Sequence, residues 1–596
     1  MAGFFGEGDD ARKALTATAT APGAAPPAAP PPRRRRRDAG RSPERQRAER
    51  AIAVHRVVLG LAVVALLAVL LFVPTLPAPS ARGGALPGVV VPAGITPATA
   101  IGAAGEAASG VECGPGVRQV PWSAYSVACQ PAWHGANGGA TAPGVSATTI
   151  RVSYRMAASA QLTELSSLLP PSAVGTSTEA VDTIEAYIAT FNKLFELYGR
   201  RVVLVPYKAK SDFVSEDTGQ GQQQAQQDAL TASTGVKAFA DVSLADSSSL
   251  YTADLAAQNV VSLSVGLDDA AFYRANSPFA YTPGASCTKA AVATAAVLGR
   301  QLAGLPAVDA GDPALQRSTR VFGVVYPQMP TATACAGALV ADLAAAGVTP
   351  TNVVALPFDL SQLVNESQNA VAQMRAAGVT TLICAACDPV TPLFLMQAAD
   401  NQGYHPEWWY QSNFVGGQTG TDSATRLFPP DQADHLLATG NQAPPYGLQE
   451  AVEAYRLGNP HARRVPMPTY AYAYAALLQL FDTLQLAGPD LTPANFLAAA
   501  GHLPASEPWG MFGAWDGRAG AYDPGAGYRV VRWDPTARSG VDQGRGAWVD
   551  CDAGRQFTYA AAGGDVPAHR QLVCSPAAGA VSRPPADRLV PVPPGG

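Results

Sequence analysis

Two clusters of small polar residues stand close together in LADSSSLYTADLAAQNVVSLSVGLDD, residues 244–269. The first is Ser247, Ser248 and Ser249; the second is Ser262, Ser264, Gly266, Asp268 and Asp269. Serine hydroxyls donate and accept hydrogen bonds and a carboxylate accepts them, so this set can hold a polar ligand. Serine is also an ordinary helix N-cap, and Ser247 and Ser248 stand where a strand gives way to a helix. Nothing pairs a nucleophile with a base. No GxSxG, Walker A or HExxH run occurs, and the seven histidines are dispersed with no i,i+4 pair. Neither a zinc site nor a cofactor is therefore expected, and the residues point to binding without catalysis.

The CAAC run from Cys384 to Cys387 has the spacing of a redox dithiol. It ends an apolar strand and precedes Asp388-Pro389, without the Trp or Gly-Pro surroundings of thioredoxins. Structural disulfides are the expected use of all eight cysteines. Cys113 and Cys129 read as a local bridge, with only His134 nearby to suggest a metal. Cys551 is expected to pair with Cys574. Cys287 and Cys335 begin neighbouring helices and could pair, leaving Cys384 with Cys387, while Cys335 with either of the latter two is also open.

The elements that position these residues follow a regular rhythm. TIRVSYR (149–155) reads as a buried strand, and residues 176–199 follow with apolar positions at helical spacing. Thr176 and Glu179 have capping-box spacing, and Gly199 closes that helix. RVVLVPY, VKAFADV and VVSLSV are further strands, alternating with a Gln-rich helix and a helix over 250–258. Strand, helix, strand at this interval means a parallel sheet covered on both faces. The rhythm restarts at Cys287 with strands RVFGVVY, NVVALPF, TTLICAA and EWWYQSN, which predicts a second α/β lobe. Asp388 and Pro389 open one of its helices. Trp408, Trp409 and Tyr410 read as strand core plus rim. TYAYAYAALLQLFDTLQLAG is a long helix, and GMFGAWD, YRVVRWD, GAWVDC and QFTYA are short strands.

The N-terminus is different in kind. Residues 1–56 are Ala/Pro-rich and arginine-rich and are expected to be a disordered cytoplasmic tail. VVLGLAVVALLAVLLFV (57–73) carries no charge and with residues 74–78 is long enough to span a membrane. The basic flank lies on its N-terminal side, which predicts a cytoplasmic N-terminus and an extracytoplasmic remainder. A cleaved signal peptide is the competing reading; the long basic region and the lack of a cysteine after the apolar run weigh against it. Residues 79–110 read as a linker, 111–146 as a disulfide-containing lead-in and 576–596 as a flexible tail. Of the 41 Lys+Arg and 46 Asp+Glu, the first 56 residues take 12 and 6, leaving 29 against 40. An exported part with net charge about −11 offers no basic face for nucleic acid.

The order of these elements from Gly144 to about Asp534 resembles the type I periplasmic binding proteins, in particular the leucine/isoleucine/valine-binding receptors of ABC transporters. The resemblance rests on GVSATTIRVSYRM, on VKAFADVSLADSSS followed by VVSLSV, and on AAGVTTLICAACDPVTPLFLMQAADNQGYHPEW. It continues in TYAYAYAALLQLFDTL and GMFGAWDGRAGAYDPGAGYRVVRW, and covers about two thirds of the chain. It implies two lobes, each with a parallel sheet, joined by a three-stranded hinge and closing on a ligand. The binding-protein-like domain is expected over 147–575, with lobe 1 at 147–282 and 414–508 and lobe 2 at 283–413 and 509–575.

The resemblance also implies roles. Ser247 or Ser248 would hold a ligand carboxylate, and Ser264, Gly266 and the loop to Asp268 would face the ammonium and carboxylate. Asp268, if it is more than a solvated loop carboxylate, would favour a cationic or polyhydroxylated ligand. Tyr281 would line the cleft at the first hinge crossing. In lobe 2, Cys387 and Asp388 fall near a family tyrosine. Ser412 and Asn413 fall where the family has an acid for the ammonium; Glu407 is the nearest acid. The expected function is an extracytoplasmic solute-binding protein that captures a small polar ligand, amino-acid-like, an amide or related, for ABC permease subunits. The alternative is a membrane-tethered sensor working through a partner, and an extracellular enzyme is a distant third.

Overall fold

The computed structural model describes residues 103–574 apart from 124, 158–175, 265–267, 389, 412–420, 441–447, 463–467, 507–513, 540–543 and 560–563. The expected basic tail, membrane span and C-terminal tail, together with Gly266, Ser412 and Asn413, lie outside the described residues. Among the described residues, no helix is long and apolar enough to cross a membrane.

Alternation along Thr149–Met156 (β1) sends Val152 and Tyr154 to one face of a sheet and Ser153 and Arg155 to the other. β1 pairs in parallel with Arg201–Lys208 (β2) and Ala240–Asp241 (β3). The ladder continues through Val261–Leu263 (β4) to Ala280–Tyr281 (β5), in the order β2-β1-β3-β4-β5. The intervening helices are Ser177–Leu194 (α1), Phe213–Asp217 (α2), Gln222–Leu230 (α3), Ser249–Ala257 (α4) and Ala270–Ala275 (α5). The capping box at Thr176 and Glu179 is present in both directions. The Gln-rich helix runs on into a π-turn at Thr231–Val236.

Lobe 2 begins with Cys287–Ala295 (α6) and continues through Phe322–Pro327 (β6), Pro330–Ala345 (α7), Asn352–Leu356 (β7), Leu360–Ala376 (α8), Thr381–Ala385 (β8), Thr391–Asn401 (α9), Glu407–Gln411 (β9) and Leu436–Gly440 (β10). The chain then adds Leu448–Gly458 (α10), Pro468–Ala487 (α11) and Pro493–Ala500 (α12) to lobe 1. It ends with Gly527–Arg538 (β11), Arg545–Asp550 (β12) and Phe557–Thr558 (β13) back in lobe 2. The second sheet has the order β12-β11-β10-β9-β8-β6-β7, with β13 paired to β11. β6 to β10 are parallel, and β11 is antiparallel to its neighbours.

One expected boundary needs correction. β10 pairs in parallel with β9 from Trp408–Leu436 to Gln411–Thr439, so the chain returns to lobe 1 after residue 440 and not at 414.

The cores explain why the lobes hold their shape. In lobe 1, Ile184, Tyr187 and Phe191 of α1 pack with Val152, Tyr154, Tyr474, Leu477 and Phe481. The lead-in joins this core through Val120, Trp122, Tyr125 and Val127. It is pinned by buried Asp482 of α11, which accepts from the Ser126 hydroxyl at 3.3 Å and the Val127 amide at 3.1 Å. In lobe 2, Trp408 packs on one face of the sheet and Trp409 on the other, as a parallel sheet buried on both sides requires. The described hinge crossings are tied together. The Thr282 amide donates to the Tyr522 carbonyl at 2.8 Å, and the Trp515 indole donates to the Pro283 carbonyl at 2.8 Å. Asp523 accepts from the Ser286 amide at 3.2 Å and pairs with Lys289 at 3.2 Å.

Candidate functional site

In an open parallel sheet, ligands sit beyond the carboxyl ends of the strands, where neighbouring strands send their connections in opposite directions. In lobe 1 that point lies between β1 and β3, at Arg155 and Asp241; in lobe 2 it lies between β6 and β8. Beyond the lobe 2 point is a cavity of about 400 Å³, the size of a small-molecule pocket. Its lobe 2 wall comes from the strand-end loops and the first turn of α8: Gln328, Phe358, Asp359, Ser361 and Val390 among others. Its lobe 1 wall is α2 and the turn after it, through Val214, Thr218 and Gln220.

Asp359 caps α8, accepting from the Ser361 amide at 2.8 Å and its hydroxyl at 2.6 Å, and from Gln362 at 3.2 Å. These bonds hold its pKa below the ordinary value. The remaining polar groups of the wall are amides and hydroxyls, and among the described lining residues there is no Lys, Arg or His.

The lobe 1 switch point holds a buried polar cluster. Arg155, its side chain fully buried, reaches both Glu216 carboxylate oxygens at 2.5 and 3.2 Å and Asp228 at 3.8 Å. Its Nε donates to the Asp246 carbonyl at 3.1 Å, and its guanidinium lies 3.9 Å from the centre of the Tyr251 ring. Burial opposes the charge on Arg155, but Glu216, with Tyr251 and Tyr207 adding to it, offsets this and the pKa ends above the ordinary value. Asp241 accepts from Ser153 at 2.6 Å and from the Tyr251 hydroxyl at 3.1 Å, with its pKa raised by burial. Asp246 accepts from Tyr154 at 2.8 Å and is pushed up to about 6 by burial.

Glu216 lies on α2, between Val214 and Thr218. The cluster therefore anchors from behind the helix that forms one wall of the cavity. Arg155 and Glu216 belong to no motif in the sequence. The available signal was an arginine near the end of a strand expected to be buried, since an ion there needs a buried partner.

The expected site residues separate into several groups. Ser248 caps α4, accepting from the Tyr251 amide at 3.0 Å, and donates to Glu216. Ser247 bonds Thr252 at 3.0 Å. Both serines are thus engaged within lobe 1. Ser264 is 1% exposed, with its hydroxyl facing that of Tyr273 inside lobe 1. Asp268 is buried, accepts from Ser249, and is pushed up to about 7 by burial, with Asp269 adding to the effect. Its carbonyl accepts from the Cys287 amide at 3.0 Å, across the first hinge crossing. Tyr281 packs against Phe496 and Tyr522 at that crossing.

In lobe 2, the Cys387 sulfur is bonded to Cys384 and buried, so it offers no thiol to a ligand. Asp388 bonds the Val390 and Thr391 amides at 2.6 and 2.9 Å, closing the start of α9. Glu407 stands at the amino end of β9, away from the cleft, and grips Arg320 with both oxygens at 2.8 Å, so it is no anchor for a ligand ammonium. The remaining bonds are Cys113–Cys129, Cys287–Cys335 and Cys551–Cys574, which resolves the alternatives left open by the sequence.

A family model described as periplasmic binding protein matches residues 165–540. Among solved structures, the chain is similar to an ABC transporter substrate-binding protein from Desulfitobacterium hafniense in complex with Leu. The identity is 16% and the TM-score 0.42, covering 67% of this chain and 99% of that one. It is similar also to a leucine-, isoleucine-, valine-, threonine- and alanine-binding protein from Brucella ovis, at 12% identity and TM-score 0.48, covering 69% and 95%. A third is an ABC transporter solute-binding protein from R. palustris in complex with 4-hydroxybenzoate, at 13% identity and TM-score 0.45, covering 69% and 97%. No curated protein matches the sequence.

Proposed function

The chain belongs to the periplasmic binding protein family, whose members bind small solutes outside the cytoplasm, and from that premise we propose that it captures a small polar solute for an ABC importer. The solute is amino-acid-like, an amide or a related compound, and the lobes close on it. The observation that carries this reading is the cavity of about 400 Å³ with α2 of lobe 1 on one side and the strand-end loops of lobe 2 on the other. A ligand seated there touches both lobes, so it favours the closed arrangement by its extra contacts. The walls carry amide and hydroxyl groups that can orient a ligand, and the Asp359 carboxylate there is spent on capping α8.

A thermal-shift screen of the full chain against amino acids, amides, polyamines and sugars tests this. A ligand at a hundred times its Kd should add about 2.7 kcal/mol to stability and visibly raise Tm. Folded protein that responds to none of them would count against capture.

The apolar run 57–73 behind its arginine-rich flank supports tethering by one N-terminal helix with the binding domain outside. The intact protein should then sediment with membranes and resist extraction at alkaline pH, while a chain lacking residues 1–78 should be released. Recovery of the intact protein in the soluble fraction would overturn the tether.

A further inference from the structure

Lobe closure on a solute has to pass through the hinge, and the hinge is packed against a segment that has no part in the cavity wall. That segment is the loop closed by Cys113–Cys129 in the lead-in. Its two sides are fastened to each other. The Gln119 amide donates to the Val127 carbonyl and the Cys129 amide to the Val117 carbonyl, each at 2.9 Å. Arg118 donates to the Ser126 carbonyl at 2.7 Å, and the Ser126 hydroxyl accepts from the Val120 amide at 3.0 Å. With a disulfide at its base and these bonds along it, the loop is a stiff finger. A displacement at its tip is carried to its base, because packed interiors transmit strain.

The tip meets the hinge at two places. Tyr125, fully buried, stands edge-on to the Trp515 ring, with 5.1 Å between centres. Trp515 lies in the last crossing, between α12 and β11, and its indole donates to the Pro283 carbonyl of the first crossing at 2.8 Å. These two crossings are also joined directly, by the Thr282 amide to the Tyr522 carbonyl and by the Gly525 amide to the Gly284 carbonyl at 3.1 Å. One indole thus has the first crossing on its N–H and the finger against its ring.

The second place is independent of the first. Trp122 and Ser123 face the Tyr474 hydroxyl, which donates to Glu450 at 3.0 Å. Glu450 stands in the first turn of α10, the next helix after the chain leaves β10 for lobe 1. Anchorage alone does not require either contact, since Val120 and Val127 in the core and Asp482 on the Val127 amide already fasten the loop to lobe 1.

A hinge absorbs closure in the few residues where the chain passes between lobes. A change of direction at residues 282–286 moves the Pro283 carbonyl. The buried Trp515 indole must follow it or lose its bond, which is costly, and so the ring moves against Tyr125.

We propose that the Cys113–Cys129 loop is a hinge-reading finger, through which closure of the cleft changes the hold on the lead-in and is reported at the N-terminal edge of the domain. This rests on the closing motion of the capture reading, and it gives the expected tether a way to sense the state of the cleft.

Locks that need no solute test it. Thr218 and Ser361 line the cavity from its lobe 1 and lobe 2 walls. In the full chain, Thr218→Cys/Ser361→Cys is joined as a disulfide, which draws the walls together, or by a long bis-maleimide, which keeps them apart. Hydrogen exchange at the Gln119, Val127 and Cys129 amides should differ roughly fivefold or more between the two locks. Adding Tyr125→Leu, or Trp515→Phe to remove the N–H bonded to Pro283, should bring the two rates together, with near-UV circular dichroism checking that each protein folds. Equal exchange under both locks, or a difference that survives both substitutions, would overturn the finger. Cysteines that no oxidant joins would show that the walls do not approach, which removes the finger together with the motion it reads. Capture is read separately, by the thermal-shift screen: a finger that answers the locks in a protein no solute stabilises would stand without capture.

Discussion

Arg155→Met is expected to cost about 3–5 kcal/mol of stability, the usual price of stranding a buried charge. The side chain is fully buried at the carboxyl end of β1, and its guanidinium touches two carboxylates, a carbonyl and an aromatic face. Methionine fills much of the volume but leaves Glu216 with the Ser248 hydroxyl as its remaining side-chain donor, among Asp228, Asp241 and Asp246. The measurement is the urea midpoint followed by tryptophan fluorescence and by circular dichroism. Arg155→Met/Glu216→Met should recover part of the loss, because the stranded carboxylate leaves with its partner. A single substitution costing under about 1 kcal/mol would show that the pair is solvated in the working protein. The same contact holds α2 in place, so the single variant should also bind its ligand more weakly, although Arg155 is absent from the cavity wall.

That prediction rests on residues the sequence did not disclose, and the reason is physical. Periodicity reports which face of an element is apolar, and on that basis the strands, the long helix and the restart at Cys287 were legible. Local hydrogen bonding is legible too: the capping box at Thr176 depends on residues three apart, and Ser248 does cap its helix. What periodicity does not report is which distant groups meet. Arg155 and Glu216 are 61 residues apart, and their pairing depends on α2 folding back over the end of the sheet. The cavity is likewise built by loops after strands, where the residue pattern carries no geometric period, so Gln220, Gln328, Phe358 and Ser361 had no signal of their own. The lobe boundary was misplaced because HLLATG is a short apolar run without alternation, the form a strand takes when both of its faces are buried. Asp268 was legible as the odd residue of its loop.

Converting Cys287 and Cys335 to alanine is expected to cost about 4 kcal/mol, the largest loss among the lobe 2 disulfides. The bond closes a segment 48 residues apart in sequence, and in the chain-entropy account long loops gain most from closure. Cys384→Ala/Cys387→Ala, across a separation of 3, should cost only about 2 kcal/mol by the same relation. The 287–335 bond also does something local. Cys287 opens α6 immediately after the hinge crossing, where its amide donates to the Asp268 carbonyl. Both cysteines pack with Met329, Ala332 and Ala386 behind Phe358, a residue of the cavity wall. Loss of the bond should therefore loosen that wall and the first hinge crossing together, and ligand affinity should fall along with the melting temperature. Melting curves of the two double-alanine proteins, with and without ligand, separate these effects. A larger loss from the 384–387 pair would mean that loop closure is not what these bonds supply. The order of the hinge would then rest on Asp523, with its hold on Lys289 and on the Ser286 amide.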